Sequence, residues 1–146
     1  MLLILKSIGK RKRANKWTGR LGNIMIKHYL NVEVAESPSQ VQQGLMFRKS
    51  LAQDDGMIFK FKKPQNLKFW GVNTYLPLAI AFVSPKKEIV KISYISPHST
   101  KCVDSIEDCN MAIEANYDFF KNNHIEIGSK IEVINEDYST LVKFLN

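Results

Sequence analysis

Apolar and polar residues alternate first in His28-Tyr29-Leu30-Asn31-Val32-Glu33-Val34, where Leu30, Val32 and Val34 fall on one side and Asn31 and Glu33 on the other. A period of two marks a half-buried strand. Ser37-Pro38-Ser39-Gln40 follows and matches a capping box. The Ser37 hydroxyl can accept from the Gln40 amide, Pro38 suits the first helical position, and the Gln40 side chain can reach back. A short helix is therefore expected as far as Leu45, ending near Gly44. Met57, Phe59 and Phe61 then share one side, and Leu67–Trp70 resumes the pattern after Lys62-Lys63-Pro64-Gln65-Asn66, so these runs read as a hairpin around a turn. The runs Leu78–Val83, Glu88–Ile95, Asn110–Ala115 and Lys130–Ile134 are short, rich in β-branched residues and separated by Pro, Gly, Asn or charged turns. A second helix is expected over Tyr117–Asn123, ahead of Gly128. Seven strands and two short helices predict a mostly β chain, folded as a single compact antiparallel β-sandwich or barrel-like domain.

Length and composition narrow this further. With 146 residues, 45% of them hydrophobic and 24% charged, the chain has the size and balance of one globular domain with a tail, which excludes most multidomain enzymes. No apolar run approaches the ~18 residues of a spanning helix. The formal charge of +7 is unevenly placed: Lys6, Lys10, Arg11, Lys12, Arg13, Lys16 and Arg20 precede every acidic residue, and the remaining basic residues balance the 14 acidic ones. Residues 1–26 thus read as a basic N-terminal arm, and 27–146 as a neutral domain. The arm's order, apolar head before basic block, is the reverse of a secretory signal. Three readings of it stay open. It is a solvated tail or a leader ahead of a start at Met25; it is an organellar presequence; or Lys10, Arg11, Lys12, Arg13, Lys16, Trp17 and Arg20 bind nucleic acid or another polyanion, the cations releasing counterions and the indole stacking on a base. The compartment expected is cytoplasmic, or organellar under the presequence reading.

Candidate chemistry is sparse. The chain lacks a Gly-x-Ser-x-Gly elbow, a phosphate-cradling glycine loop and a His-Glu-x-x-His helix. His28, His98 and His124 have no short-range ligand pattern and read as ordinary surface or loop residues. Cys102 and Cys109 fall in what reads as a polar loop after His98. A zinc site from these three with Asp104 or Asp108 would need a spacing unlike Cys-x-x-Cys, and free thiols fit a reducing compartment better. The expectation is no catalytic residue, no metal and no cofactor. Ligand-binding candidates are Arg48, Trp70, Asn73, Thr74 and Tyr75: Arg48 to hold an anion, Asn73 to orient a polar group, Trp70 to supply a flat apolar wall. The alternative is structural, with Asn73 bonding its own turn, Trp70 in the core and Arg48 capping the short helix.

Three segments carry a resemblance: Gly44-Leu45-Met46-Phe47-Arg48, then Gly56-Met57-Ile58-Phe59, then Phe69-Trp70-Gly71-Val72-Asn73-Thr74-Tyr75-Leu76-Pro77-Leu78-Ala79-Ile80-Ala81-Phe82. In this order and spacing they resemble the domain-of-unknown-function 192 family of small bacterial, archaeal and phage-encoded proteins, from Tyr29 to Val133. The resemblance implies a compact β-sandwich or barrel-like fold without an established activity. Because exported relatives often carry cysteines in the same region, it also implies a loop disulfide between Cys102 and Cys109 as an alternative to free thiols. The chain departs from the family's pattern at Gly71-Val72, where relatives carry Met-Lys, and at Leu78-Ala79, where they carry Leu-Asp. A site on this run is therefore expected to be less charged than in relatives. The function expected is that of a non-catalytic binding or accessory domain. The alternatives are a small enzyme with a site around Arg48 and Asn73, and a structural component of a larger viral or nucleoprotein assembly.

Overall fold

A computed structural model of the chain describes residues 27–145. Strands β1 (Lys27–Ala35), β2 (Asp55–Phe69), β3 (Leu78–Val83), β4 (Ile89–Ile95), β5 (Val103–Asn116), β6 (Lys130–Glu136) and β7 (Ser139–Leu145) alternate with helices α1 (Pro38–Gln43) and α2 (Phe119–Asn122). The strands form one sheet in the order β4-β3-β5-β2-β1-β7-β6. All neighbours are antiparallel except β1 and β2, which run parallel. That pair is joined by α1 and the loop after it, because parallel strands need a crossover.

The sheet curls until its two edges meet at one end. Ile89 N–H donates to Ser129 O and Ile131 N–H to Lys87 O, each at 2.9 Å, Glu88 bridges to Lys130, and their side chains form an ion pair at 2.5 Å. The result is a half-barrel. Its inner face is lined from all seven strands, by Leu30, Ile58, Ala81, Ile89, Ile131 and Phe144 among others, and plugged by Phe119 and Phe120 of α2. Phe144 meets both plug rings at 5.9 and 6.0 Å, a spacing that suits aromatic edges and faces. A second core lies on the outer side of β2, β5 and β3, where Met57, Phe59, Phe69, Ile80 and Phe82 are covered by Leu45 and Val41. β3 is buried at all six positions. Its residues alternate between the cores, Ala79, Ala81 and Val83 inward, Leu78, Ile80 and Phe82 outward, so a strand covered on both faces reads as an unbroken apolar run.

Three expectations are corrected. Met57–Phe61 and Leu67–Trp70 do not form a hairpin; Met57 to Phe69 lie in the single strand β2, which continues through the presumed turn and ends just before Trp70. The register against β5 slips between Lys60 and Gln65, and Pro64, which has no N–H to give to a ladder, sits in that slip. Cys109 is not in a loop but buried in β5, facing the second core, while Cys102 is exposed; both are free thiols. Finally, β7 and the first half of β5 are strands that the pattern did not reveal.

Candidate functional site

The capping box forms as its residues dictate: Gln40 N–H donates to Ser37 Oγ at 3.2 Å, and Gln40 Oε1 accepts from the Ser37 N–H at 3.1 Å. α1 then stops at Gly44, whose φ of 48° and ψ of −129° suit a residue without a Cβ. A methyl group there would lie 3.2 Å from Phe59 Cζ and 3.9 Å from Glu114 Oε2. The missing side chain leaves room above that carboxyl.

Glu114 is the unusual residue of the molecule. β5 turns Ala112 and Glu114 to the second core, and Glu114 is paired in register with Met57 on one side and Ile80 on the other. It is 5% exposed. Burial alone pushes its carboxyl up to about 8; among the described residues it has neither a hydrogen-bond donor nor a cation to offset desolvation. It forms the floor of a cleft of about 360 Å³. Phe59, Leu67, Phe69 and Leu45 line its apolar walls, with Gln42 and Gln43 among its polar lining. Trp70, 51% exposed, stands at the rim. Lys68 is the other charged lining residue.

Of the residues singled out from sequence, Trp70 and Thr74 reach this cleft. Thr74 is buried, and its hydroxyl donates to Val72 O at 3.3 Å. Arg48 does not line the cleft; it makes a two-pronged ion pair with Glu33, the second prong Nη2 to Oε1 at 3.0 Å. Asn73 takes a left-handed φ of 55°, and its carbonyl accepts the Phe47 N–H at 2.8 Å. Tyr75 sits edge-on to His98 with centroids 4.9 Å apart. The corner packs on the loop after β4: Gly71 N–H donates to Ser99 O at 2.9 Å, and a Cβ on Gly71 would fall 2.2 Å from Ser96 O. Glycine is required there. Ala79 is fully buried on the inner face, so the one carboxylate of the site comes from β5 and not from this run.

Glu114 and Gly44 were missed as site residues. Glu114 reads as the polar position of an ordinary alternating strand; its one signal is a carboxylate inside Met111-Ala112-Ile113-Glu114-Ala115, otherwise wholly apolar. A second depression is lined by Gln53, Pro77, Asn116 and Tyr117 among others, and two of its amides are committed. Asn116 Nδ2 donates to Leu51 O and Ala52 O at 3.1 and 2.9 Å, and Asn123 Nδ2 to Phe119 O at 2.7 Å. No group of three or more His, Cys, Asp or Glu among the described residues is arranged to hold a metal ion. Nor is any helix among them long and apolar enough to cross a membrane. Lys10, Arg11, Lys12, Arg13, Lys16, Trp17 and Arg20 lie outside the described residues.

The fold and cleft define a class: a small curled-sheet β domain with an acid-floored depression against its outer face. The chain belongs to the domain-of-unknown-function 192 family (DUF192, an uncharacterized ACR), whose model matches residues 22–133. A crystal structure from Sinorhizobium meliloti 1021, of a protein described as a proposed transcription regulator, is similar with a TM-score of 0.68 and 31% identity, over 78% of this chain and 97% of that one. A protein of unknown function from Novosphingobium aromaticivorans DSM 12444 is similar with a TM-score of 0.68 and 25% identity, over 74% of this chain and 84% of that one. No curated protein matches the chain.

Proposed function

We propose that the domain is a non-catalytic binding module whose ligand enters the cleft over Glu114. One observation carries this reading: a carboxyl that is 5% exposed and without a protein partner forms the floor of an open depression. The carboxyl opens onto the cleft without a donor from the protein, so a ligand there can supply the hydrogen bonds that the surrounding side chains do not. Aromatic walls with a few convergent polar groups are the usual make-up of a small-molecule site. Catalysis is the weaker reading. A carboxyl titrating near 8 suits a general acid or base, but the hydroxyl lining the cleft, on Thr74, is tied to Val72 O, and no His, Cys or Ser lines it. Of Arg48 and Asn73, the pair on which an enzyme reading would rest, Arg48 is engaged by Glu33, and neither lines the cleft.

The test is a fragment screen by protein-observed NMR. Hits should move the amide signals of Gly44, Phe59 and Trp70, and Glu114→Leu should abolish them. Hits confined to other surfaces, or none at all, would overturn the reading.

A second reading adds a polyanion contact through the arm. Support comes from its seven cations ahead of any acid and from the similar Sinorhizobium protein being described as a proposed transcription regulator. The domain itself is charge-balanced, so such affinity would reside in residues 1–26 and carry no sequence preference.

A further inference from the structure

We infer that the cleft takes a primary ammonium group on a short apolar stem, seated against the Glu114 carboxylate; this rests on the binding-module reading above and names its ligand class. Four features of the site converge on that chemistry.

The first is the mismatch at the floor. Glu114 offers two oxygens with no donor from the protein, so the complement is a group rich in donors. An ammonium brings three, together with the charge that would stabilise the ionised acid. The second is the walls. Phe59, Phe69 and Leu67 offer apolar surface to a hydrocarbon stem, and ring faces also attract a cation. The third is the surroundings of the acid. Its strand neighbours are Met57 and Ile80, and Gly44 lies over it, all three uncharged; the one charged side chain that shares the cleft with Glu114 is Lys68 of β2. The fourth is the other charged lining residue, Lys68, which is exposed. A cation there disfavours ligands that carry a second positive charge, so a monoamine fits where a diamine does not.

Seating the ammonium has a chemical consequence that a neutral ligand lacks. Near neutral pH the free acid is mostly protonated, because burial holds its proton on. Pairing with an ammonium requires the ionised form, so the proton leaves to solvent as the ligand enters. Binding then releases close to one proton per ligand at pH 7. Affinity rises about tenfold per unit between pH 6 and 7, and levels above the acid's own midpoint.

The experiment is isothermal titration calorimetry of the full chain with n-butylamine at pH 7 in two buffers of different ionisation enthalpy. Butan-1-ol serves as the neutral isostere and 1,4-diaminobutane as the dication. Butylamine should bind with close to one proton released, and both comparison compounds should bind at least tenfold more weakly. Glu114→Gln should lose the proton release and weaken butylamine at least tenfold; because the proton count on the parent protein needs no variant, the test survives a variant that does not fold. Butanol binding as well as butylamine, or amine binding without proton release, would overturn the inference and leave the cleft as a site for neutral ligands. No binding by any of the three compounds, with the fragment screen also empty, would remove both readings.

Discussion

A buried carboxyl without a partner makes stability depend on pH in an uncommon direction. Glu114 is raised from 4.5 to about 8 in the folded chain, so between those values the folded state holds a proton that the unfolded state has lost. Its contribution is fully present below pH 4.5 and is lost as pH rises through 8. In free energy the loss is on the order of 3–5 kcal/mol. Urea unfolding at pH 5 and pH 8.5 should therefore show the parent losing several kcal/mol that Glu114→Gln does not lose; equal pH profiles for the two would contradict this. Arg48 and Asn73 test the opposite assignment, residues with structural duties only. Removal of the exposed Arg48–Glu33 pair by Arg48→Ala should cost within about 1 kcal/mol and leave butylamine affinity unchanged. Asn73 sits at φ 55°, where a Cβ is strained, so Asn73→Gly should be neutral and Asn73→Ala should cost about 0.5–1 kcal/mol. Melting temperatures decide both.

At the scale of elements, protection should follow enclosure. β3 is flanked by β4 and β5 and buried at every position, so its amides, with those of Met111–Ala115 opposite, should exchange slowest with deuterium. The exposed slip in β2 around Lys62 and Pro64 should exchange fastest among strand residues. Hydrogen-exchange mass spectrometry over hours would reveal the reverse order if the sheet were held elsewhere. The same elements explain what was legible from sequence. β3 could be read because six apolar residues in a row fit only a doubly covered strand or a short buried helix, and β-branched Ile and Val favour the former. α1 could be read because Ser37, Pro38 and Gln40 specify their own hydrogen bonds locally. β2 was misread because Lys62-Lys63-Pro64-Gln65-Asn66 has turn composition; what keeps it extended is distant, Asn66 Oδ1 accepting from Ser105 Oγ and the Ile106 N–H at 3.1 Å. The first half of β5 was hidden for the matching reason, its polar residues pairing with polar ones. β7 was hidden because Leu141 and Val142 are adjacent and both buried, which breaks the alternation that marks a half-buried strand. Half of the corner candidates lie away from the cleft, and Glu114 escaped notice, because a strand's own period cannot reveal that both of its faces are covered.

For the whole molecule, the pairing of β1 within the sheet begins at Lys27, opposite Leu145 of β7. A chain lacking its first 24 residues should accordingly melt within a few degrees of the full chain and keep the amine site. If the arm binds a duplex and about five of its cations meet phosphates, the full chain should show a logarithmic salt slope of about −4 to −5, and the shortened chain almost none. Equal affinity of the two for DNA at several salt concentrations would remove the arm from the account. The central claim is that the cleft's floor is an acid which the protein leaves unpaired for a ligand. Its most direct test is a carbon-13 titration of the full chain with the glutamate δ-carboxyls labelled, the Glu114 signal assigned by its loss in Glu114→Gln. The account predicts one glutamate titrating near pH 8, away from the ordinary carboxylate range, and shifting to lower pH when butylamine is added. A Glu114 signal that titrates near 4.5 and ignores the amine would contradict it.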